Sequence, residues 1–113
     1  MHGGVVQGAG QVFGEQVAYD RETGQPLSAS FMDYTMPRAG LLRSLRGEEH
    51  PTPSKVSPLG VKGMGESGCT ASLPALVNAV IDALRPLGVQ HVDMPLTPSK
   101  LWHAMQAAKQ GKS

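Results

Sequence analysis

The sequence predicts an α+β fold: a small, mostly antiparallel sheet with about three covering helices. Three observations lead there. Two runs, at residues 3–17 and 72–87, repeat apolar residues at helical spacing. A third helix start is written as Thr97-Pro98. Between the first two runs lies a polar turn, Asp20-Arg21-Glu22-Thr23-Gly24, with short stretches on either side that could pair as a hairpin.

In the first run, Val5, Ala9, Val12, Phe13 and Val17 make one apolar stripe. Gly4, Gly8, Gly10 and Gly14 sit in the same run, and each costs about 1 kcal/mol relative to alanine inside a helix. Tertiary contacts must therefore hold this helix, and something must pack close to its backbone. The hairpin would enter through residues 17–19 and leave through 27–36, ending at Pro37. Residues 43–50 suggest a short extended piece, and the proline-interrupted stretch 51–59 a loop. In the 72–87 helix, Ser72 is the expected cap and Pro74 falls in the first turn. Leu73, Leu76, Val77, Val80, Ile81 and Leu84 give it a broad apolar face. A short strand at 89–94 and a last helix at 98–109 complete the order, with residues 110–113 as a frayed tail. The last helix would carry Leu101, Trp102, Met105 and Ala108 as its apolar side.

The totals bound function more than fold. The chain has 113 residues, 40% of them hydrophobic, with fourteen glycines and nine prolines. A core is possible but thin. A formal net charge of +1 gives no electrostatic case for nucleic acid or an anionic membrane. No apolar run in the sequence approaches the roughly 20 residues that span a bilayer. The first residues lack the basic-then-apolar order of a secretory signal. Cys69 is the single cysteine. Together these point to a cytoplasmic protein.

The stretch with most chemical promise is Gly60-Val61-Lys62-Gly63-Met64-Gly65-Glu66-Ser67-Gly68, ahead of the second helix. Glu66 reads either as a general base held by a tight loop or as a surface glutamate. Lys62 reads as its ion-pair partner or as a solvated charge. The spacing Gly63-x-Gly65-x-x-Gly68 fits a phosphate-loop pattern, but no clear strand precedes it and a carboxylate inside the loop would repel phosphate. His2, His50, His91 and His103 are scattered without metal-ligand spacing, so no metal site is expected from them. Gln7 and Gln11 lie one turn apart on the first helix, flanked by glycines that allow a ligand to come close.

Several separated motifs stand in one order. They are Gly3-Gly4-Val5-Val6-Gln7-Gly8-Ala9-Gly10-Gln11, Tyr19-Asp20, Phe31-Met32-Asp33-Tyr34-Thr35-Met36-Pro37-Arg38-Ala39, the glycine-rich stretch, Asn78-Ala79-Val80-Ile81-Asp82-Ala83-Leu84, Asp93-Met94-Pro95-Leu96-Thr97-Pro98 and Leu101-Trp102. In this register the chain resembles the C-terminal end of the molybdenum hydroxylases, the xanthine dehydrogenase, aldehyde oxidase and carbon monoxide dehydrogenase large subunits. The resemblance implies that residues 1–113 are part of a larger molybdopterin-binding domain. It implies that Glu66 is the catalytic general base, taking a proton from a hydroxyl on molybdenum. Lys62, Gly63 and Gly65 would shape the loop, and Ser67 and Gly68 would lie near substrate. The helix with Gln7, Gly8, Gly10 and Gln11 would pack against the pterin, Gln7 making the polar contact.

The implied cofactor is molybdenum–molybdopterin, as such or as its cytosine dinucleotide, in the complete subunit. Implied partners are the remainder of the large subunit if separately encoded, iron–sulfur and flavin subunits, and a small-molecule substrate. Family subunits run to several hundred residues, and a pterin-contacting glutamine of the family pattern falls just before Met1. The isolated chain is therefore expected to bind no cofactor and to be inactive. The alternative is a truncated remnant or an interaction module without cofactor.

Overall fold

A computed structural model describes residues 1–111 of the chain. It contains three α-helices: α1 at His2–Phe13, α2 at Ser67–Leu84 and α3 at Pro98–Gln110. Single 3-10 turns lie at Ala39–Leu41 and Arg85–Leu87. The expected sheet is absent among the described residues, so the α+β assignment is corrected to a helical fold with long irregular connections. One isolated antiparallel bridge, Tyr19 with Pro26, is what the hairpin amounts to.

The hairpin turn itself forms for the expected reason. The Asp20 carboxylate accepts from the Glu22 amide at 3.1 Å, the Thr23 amide at 2.8 Å and the Thr23 hydroxyl at 2.7 Å. Gly24 closes it at φ +71. Its arms do not continue. Pro26 has no amide hydrogen to give, and the outgoing arm folds away at Ser30, whose carbonyl accepts from Asp33 and Tyr34. A two-stranded ribbon has no stability of its own without a third strand or a covering face. The expected strand at 89–94 is likewise irregular. Its residues instead carry the chain back to α1, where the Leu96 amide donates to the Val12 carbonyl. Residues 112–113 of the expected tail lie outside the described residues, while Gln110 closes α3.

α1 ends earlier than its apolar stripe suggests. The amides of Gly14 and Glu15 both donate to the Gly10 carbonyl, closing the helix, and Val17 lies beyond it, 51% exposed. α2 starts five residues earlier than the sequence suggests. Ser72 is not its cap but a buried residue of its second turn, and Pro74 lies in its interior. Tertiary packing overrides the local cost of Gly68 and Pro74 in a helix. α3 begins as expected, with the Thr97 hydroxyl accepting from the Lys100 amide at 3.3 Å.

The packing that decides this is the crossing of α1 over α2. A Cβ on Gly4 would stand 3.1 Å from the Cys69 amide nitrogen and 3.3 Å from the Gly68 Cα. A Cβ on Gly68 would stand 2.7 Å from the Met1 carbonyl and 3.0 Å from the Val5 nitrogen. One turn along, a Cβ on Gly8 would fall onto the Ser72 hydroxyl. The two helices thus meet backbone to backbone, through small residues spaced four apart on each. The core beside the crossing is small: Ala9, Val12, Val89 and Leu96 are its buried apolar residues. The expected apolar face of α2, from Leu73 to Leu84, is half-buried.

The chain exposes far more surface than its mass requires. Its accessible area is 8936 Å², against about 5,900 Å² for a compact monomer of 11.9 kDa. Its Cα radius of gyration is 18.3 Å, against about 13 Å for a compact chain of this length. Phe31, Met32, Val56, Leu59 and Val61 are each at least 64% exposed. The helical stretch 67–87, 21 residues with an 18-residue window of mean hydropathy 1.3, also reaches the length of a membrane span. Length and composition do not separate such a span from a helix that packs on one side, and α2 packs on one side against α1.

Leu96, 1% exposed, should carry much of the small core. Leu96→Ala is expected to lower unfolding stability by about 2–4 kcal/mol. Val56→Ala, at a side chain 94% exposed, should change it by less than about 0.5 kcal/mol. Urea denaturation of both variants tests this, and equal effects would remove Leu96 from the core.

The hydrogen bonds from Thr23, then its amide and that of Glu22, hold the Asp20 carboxyl below its ordinary value of 3.8. A depressed folded value means the turn is favoured above the unfolded value and loses that support as pH falls through the folded one. An NMR titration should show Asp20 and the Thr23 amide moving together at a pH below 3.8. A midpoint at or above it would contradict the bonding described.

Candidate functional site

The glycine-rich loop is built from both ends. At its start, the Ser54 hydroxyl accepts from the Val56 and Ser57 amides, and Gly60 donates to the Ser57 carbonyl at 2.9 Å. Ser54 in turn donates its amide to the Gly60 carbonyl, closing a small ring of chain. Gly60 has φ +69, which a side chain would strain. At its end, the Met64 carbonyl accepts from the Ser67 hydroxyl at 2.7 Å and the Ser67 amide at 3.2 Å. The loop thus enters α2 through a hydrogen-bonded turn.

Glu66 is the last residue before α2, and its backbone carbonyl accepts from the Thr70 amide at 3.1 Å and the Thr70 hydroxyl at 3.2 Å. Its backbone is therefore fixed. Its side chain is exposed and makes no hydrogen bond or ion pair among the described residues. A carboxylate at this position also benefits from the positive end of α2. Lys62 does not pair with it. The ion pairs among the described residues are Arg46 with Glu48 and His91 with Asp93, both exposed. The solvated-charge reading of Lys62 is the one the geometry favours.

The residues singled out on α1 divide. Gln7 is exposed, and Gln11 is half-buried. Gly8 and Gly10 are buried within the chain rather than open to a ligand. The bare side of Gly8 faces Ser72, and that of Gly10 faces Pro37 and the Glu15 carboxylate. The same Glu15 carboxylate lies by Tyr34; burial first, and then this negative charge, push the Tyr34 phenol above 10.0. Gly63 and Gly65 are the reverse: a Cβ on either would meet nothing within 4 Å. Gly65 does touch α1 through its carbonyl, 3.5 Å from where a Gly4 Cβ would stand.

The crossing therefore brings Gly4 against residues on both sides of Glu66. The sequence implies close packing on the α1 glycines, Gly4 among them, and offers Ser72 as a cap, but does not pair Gly4 with Gly68 or Gly8 with Ser72. The available signal was the matched spacing of small residues, Gly4 to Gly8 on α1 and Gly68 to Ser72 on α2.

Two concavities flank this region. One of about 360 Å³ lies against the loop and is lined by Pro51, Pro53, Gly60, Lys62, Gly63 and Met64 among others. Another of about 370 Å³ runs along the crossing past Met1, Val5, Gly68, Ala71 and Ala75. Both are shallow and open. A third, of about 300 Å³, lies at the far end of α1 against residues 35–38 and does not involve the loop. No group of three or more potential metal ligands occurs among the described residues.

Comparison with known proteins places these features in context. Residues 1–42, which include α1, match the family described as molybdopterin cofactor-binding domain. The nicotine 6-hydroxylase large subunit of Paenarthrobacter nicotinovorans is 42% identical over 104 residues, 92% of this chain. The carbon monoxide dehydrogenase large chain of Hydrogenophaga pseudoflava is 35% identical over 106 residues, 94% of this chain. The chain spans 13% of the length of each. Among solved structures, the Cu,Mo-CO dehydrogenase in its carbon monoxide reduced state superposes with a TM-score of 0.87 at 35% identity, over 96% of this chain and 14% of that one. Quinoline 2-oxidoreductase from Pseudomonas putida 86 gives 0.84 at 38% identity, over 92% and 13%.

Proposed function

Because this chain belongs with the molybdopterin-binding large subunits of the molybdenum hydroxylases, in their C-terminal portion, we propose that Glu66 acts there as the general base. The observation that carries the reading is a contact. α1 lies in the segment that matches the cofactor-binding family, and its Gly4 rests on Gly65, Gly68 and Cys69, around Glu66. The backbone on either side of Glu66 thus packs against the helix of the cofactor-binding match.

The residues present fit such a group. Gly63 and Gly65 leave open space where side chains would stand, so a bulky ligand can approach the loop backbone. The Glu66 carboxylate is unpartnered and free to face it. When bound, molybdenum–molybdopterin supplies two-electron redox chemistry. The chain's own residues do the rest. Glu66 accepts a proton at its carboxylate, and a fixed backbone holds it in place to do so. Gln7 offers its amide to the pterin side, Gly65 its backbone. Gly8 and Gly10 serve that wall indirectly, by letting α1 pack tightly on its neighbours.

The reaction class that follows is oxidation of a small molecule, an N-heterocycle, an aldehyde or carbon monoxide. The rest of a large subunit would enclose the site, and iron–sulfur and flavin subunits would carry electrons away, all in the cytoplasm. The exposed area of the chain supports a large covering partner. It also supports the second reading, an interaction module without cofactor.

In the assembled, cofactor-loaded enzyme, Glu66→Gln should lower kcat by about 10²–10⁴-fold while molybdenum content stays unchanged. Near-normal turnover would sink the assignment. The 113-residue chain alone should bind no molybdenum cofactor. Elemental analysis of the purified chain checks this, and stoichiometric molybdenum would overturn it.

A further inference from the structure

We propose that Gly4 is a positioning residue for Glu66, an inference that rests on the general-base reading above. Gly4 does not itself face a ligand. Its missing side chain is the space into which the start of α2 fits. A Cβ there would stand 3.1 Å from the Cys69 nitrogen, 3.3 Å from the Gly68 Cα and 3.5 Å from the Gly65 carbonyl oxygen. These atoms are backbone, from residues on both sides of Glu66. They cannot swing away as a side-chain tip would.

The reverse face is equally tight. Gly68 has the Met1 carbonyl, the Val5 nitrogen and the Gly4 carbonyl carbon against it. Met1 in turn accepts from the Val5 amide at 3.1 Å, so the first turn of α1 is stiff where it presses on α2. The carbonyl of Glu66 is held from the other side by Thr70. Glu66 is therefore set between a clamp inside α2 and a glycine contact to α1. Its carboxylate has no partner of its own to hold it. The separation of its backbone from α1 follows from the space that Gly4 leaves.

A methyl group at Gly4 would push the two backbones apart by a few tenths of an ångström. That is small enough for the fold to absorb and large enough to misplace a proton acceptor. Gly3 supplies the matched control. It is the neighbouring residue on the same helix, and a Cβ there meets nothing within 4 Å.

The test uses the assembled, cofactor-loaded enzyme, with molybdenum content, kcat and the Mo(V) electron paramagnetic resonance spectrum as readouts. Gly4→Ala should retain molybdenum, lower kcat about ten-fold or more and shift the pH profile and the Mo(V) spectrum. Gly3→Ala should match the parent in all of these. Gly4→Ala indistinguishable from Gly3→Ala would overturn the proposal.

Should Gly4→Ala fail to load cofactor, the same separation can be probed one turn along. Gly8→Ala should impair the enzyme through its clash with the Ser72 side chain, and Gly8→Ala with Ser72→Gly should recover it in part, the Cys69 carbonyl oxygen still standing 3.2 Å from the new methyl. Failure of the pair to recover would also overturn the proposal. Glu66→Gln separates the two readings. If it changes neither turnover nor spectrum, the general-base reading fails. If it changes both while Gly4→Ala changes neither, the positioning role alone fails.

Discussion

Everything in this chain depends on two helices touching through their backbones. Gly4 lies on Gly68 and Cys69, and Gly8 lies on Ser72. Helices ordinarily pack at 8–10 Å with side chains between them. Here glycines meet glycine and serine at the crossing, so backbone stands against backbone at Gly4 and Gly68 and the tolerance for an added side chain is narrow. The same glycines that make α1 a poor helix in isolation make it a good surface for α2. The local penalty and the tertiary gain come from the same atoms.

That contact also gives the loop its meaning. Residues 60–66 are exposed or half-buried, and a loop rich in glycine has little reason to hold one shape. It is held because its start is bonded to Ser54 and Ser57 and its end runs into a helix pinned against α1. Glu66 inherits this order through its main chain, while its carboxylate stays unengaged. A general base needs that combination of a fixed position and a free side chain.

The rest of the molecule is incomplete as a globule. Among the described residues, four buried apolar side chains form its core, and its surface exceeds that of a compact monomer of its mass by about half. Large apolar side chains such as Phe31, Met32 and Leu59 stand in the open. The chain spans 13% of the length of two of the relatives it matches.

The sequence by itself determined what local chemistry controls. Thr97-Pro98 starts a helix because a hydroxyl accepts the Lys100 amide and proline needs no donor there. Asp20 and Gly24 make a turn because a carboxylate can gather nearby amides and glycine can take positive φ. The acid in the glycine-rich stretch was visible as a candidate, and the order of motifs around it carried the family.

Only the tertiary structure decided the rest. The polar turn and its flanking stretches predict a hairpin and a sheet, but strands need lateral partners, and Pro26 and the Ser30 turn provide none. The local pattern starts α2 at Ser72, because Gly68 reads as loop and Pro74 as a first turn. Contact with Gly4 and Gly8 moves its start to Ser67. Gly4 and Gly68 stand far apart in the chain; the matched spacing of small residues hints at a crossing, but only the packing shows that each occupies the other's missing side chain. That space, made by two absent methyl groups, sets where Glu66 stands.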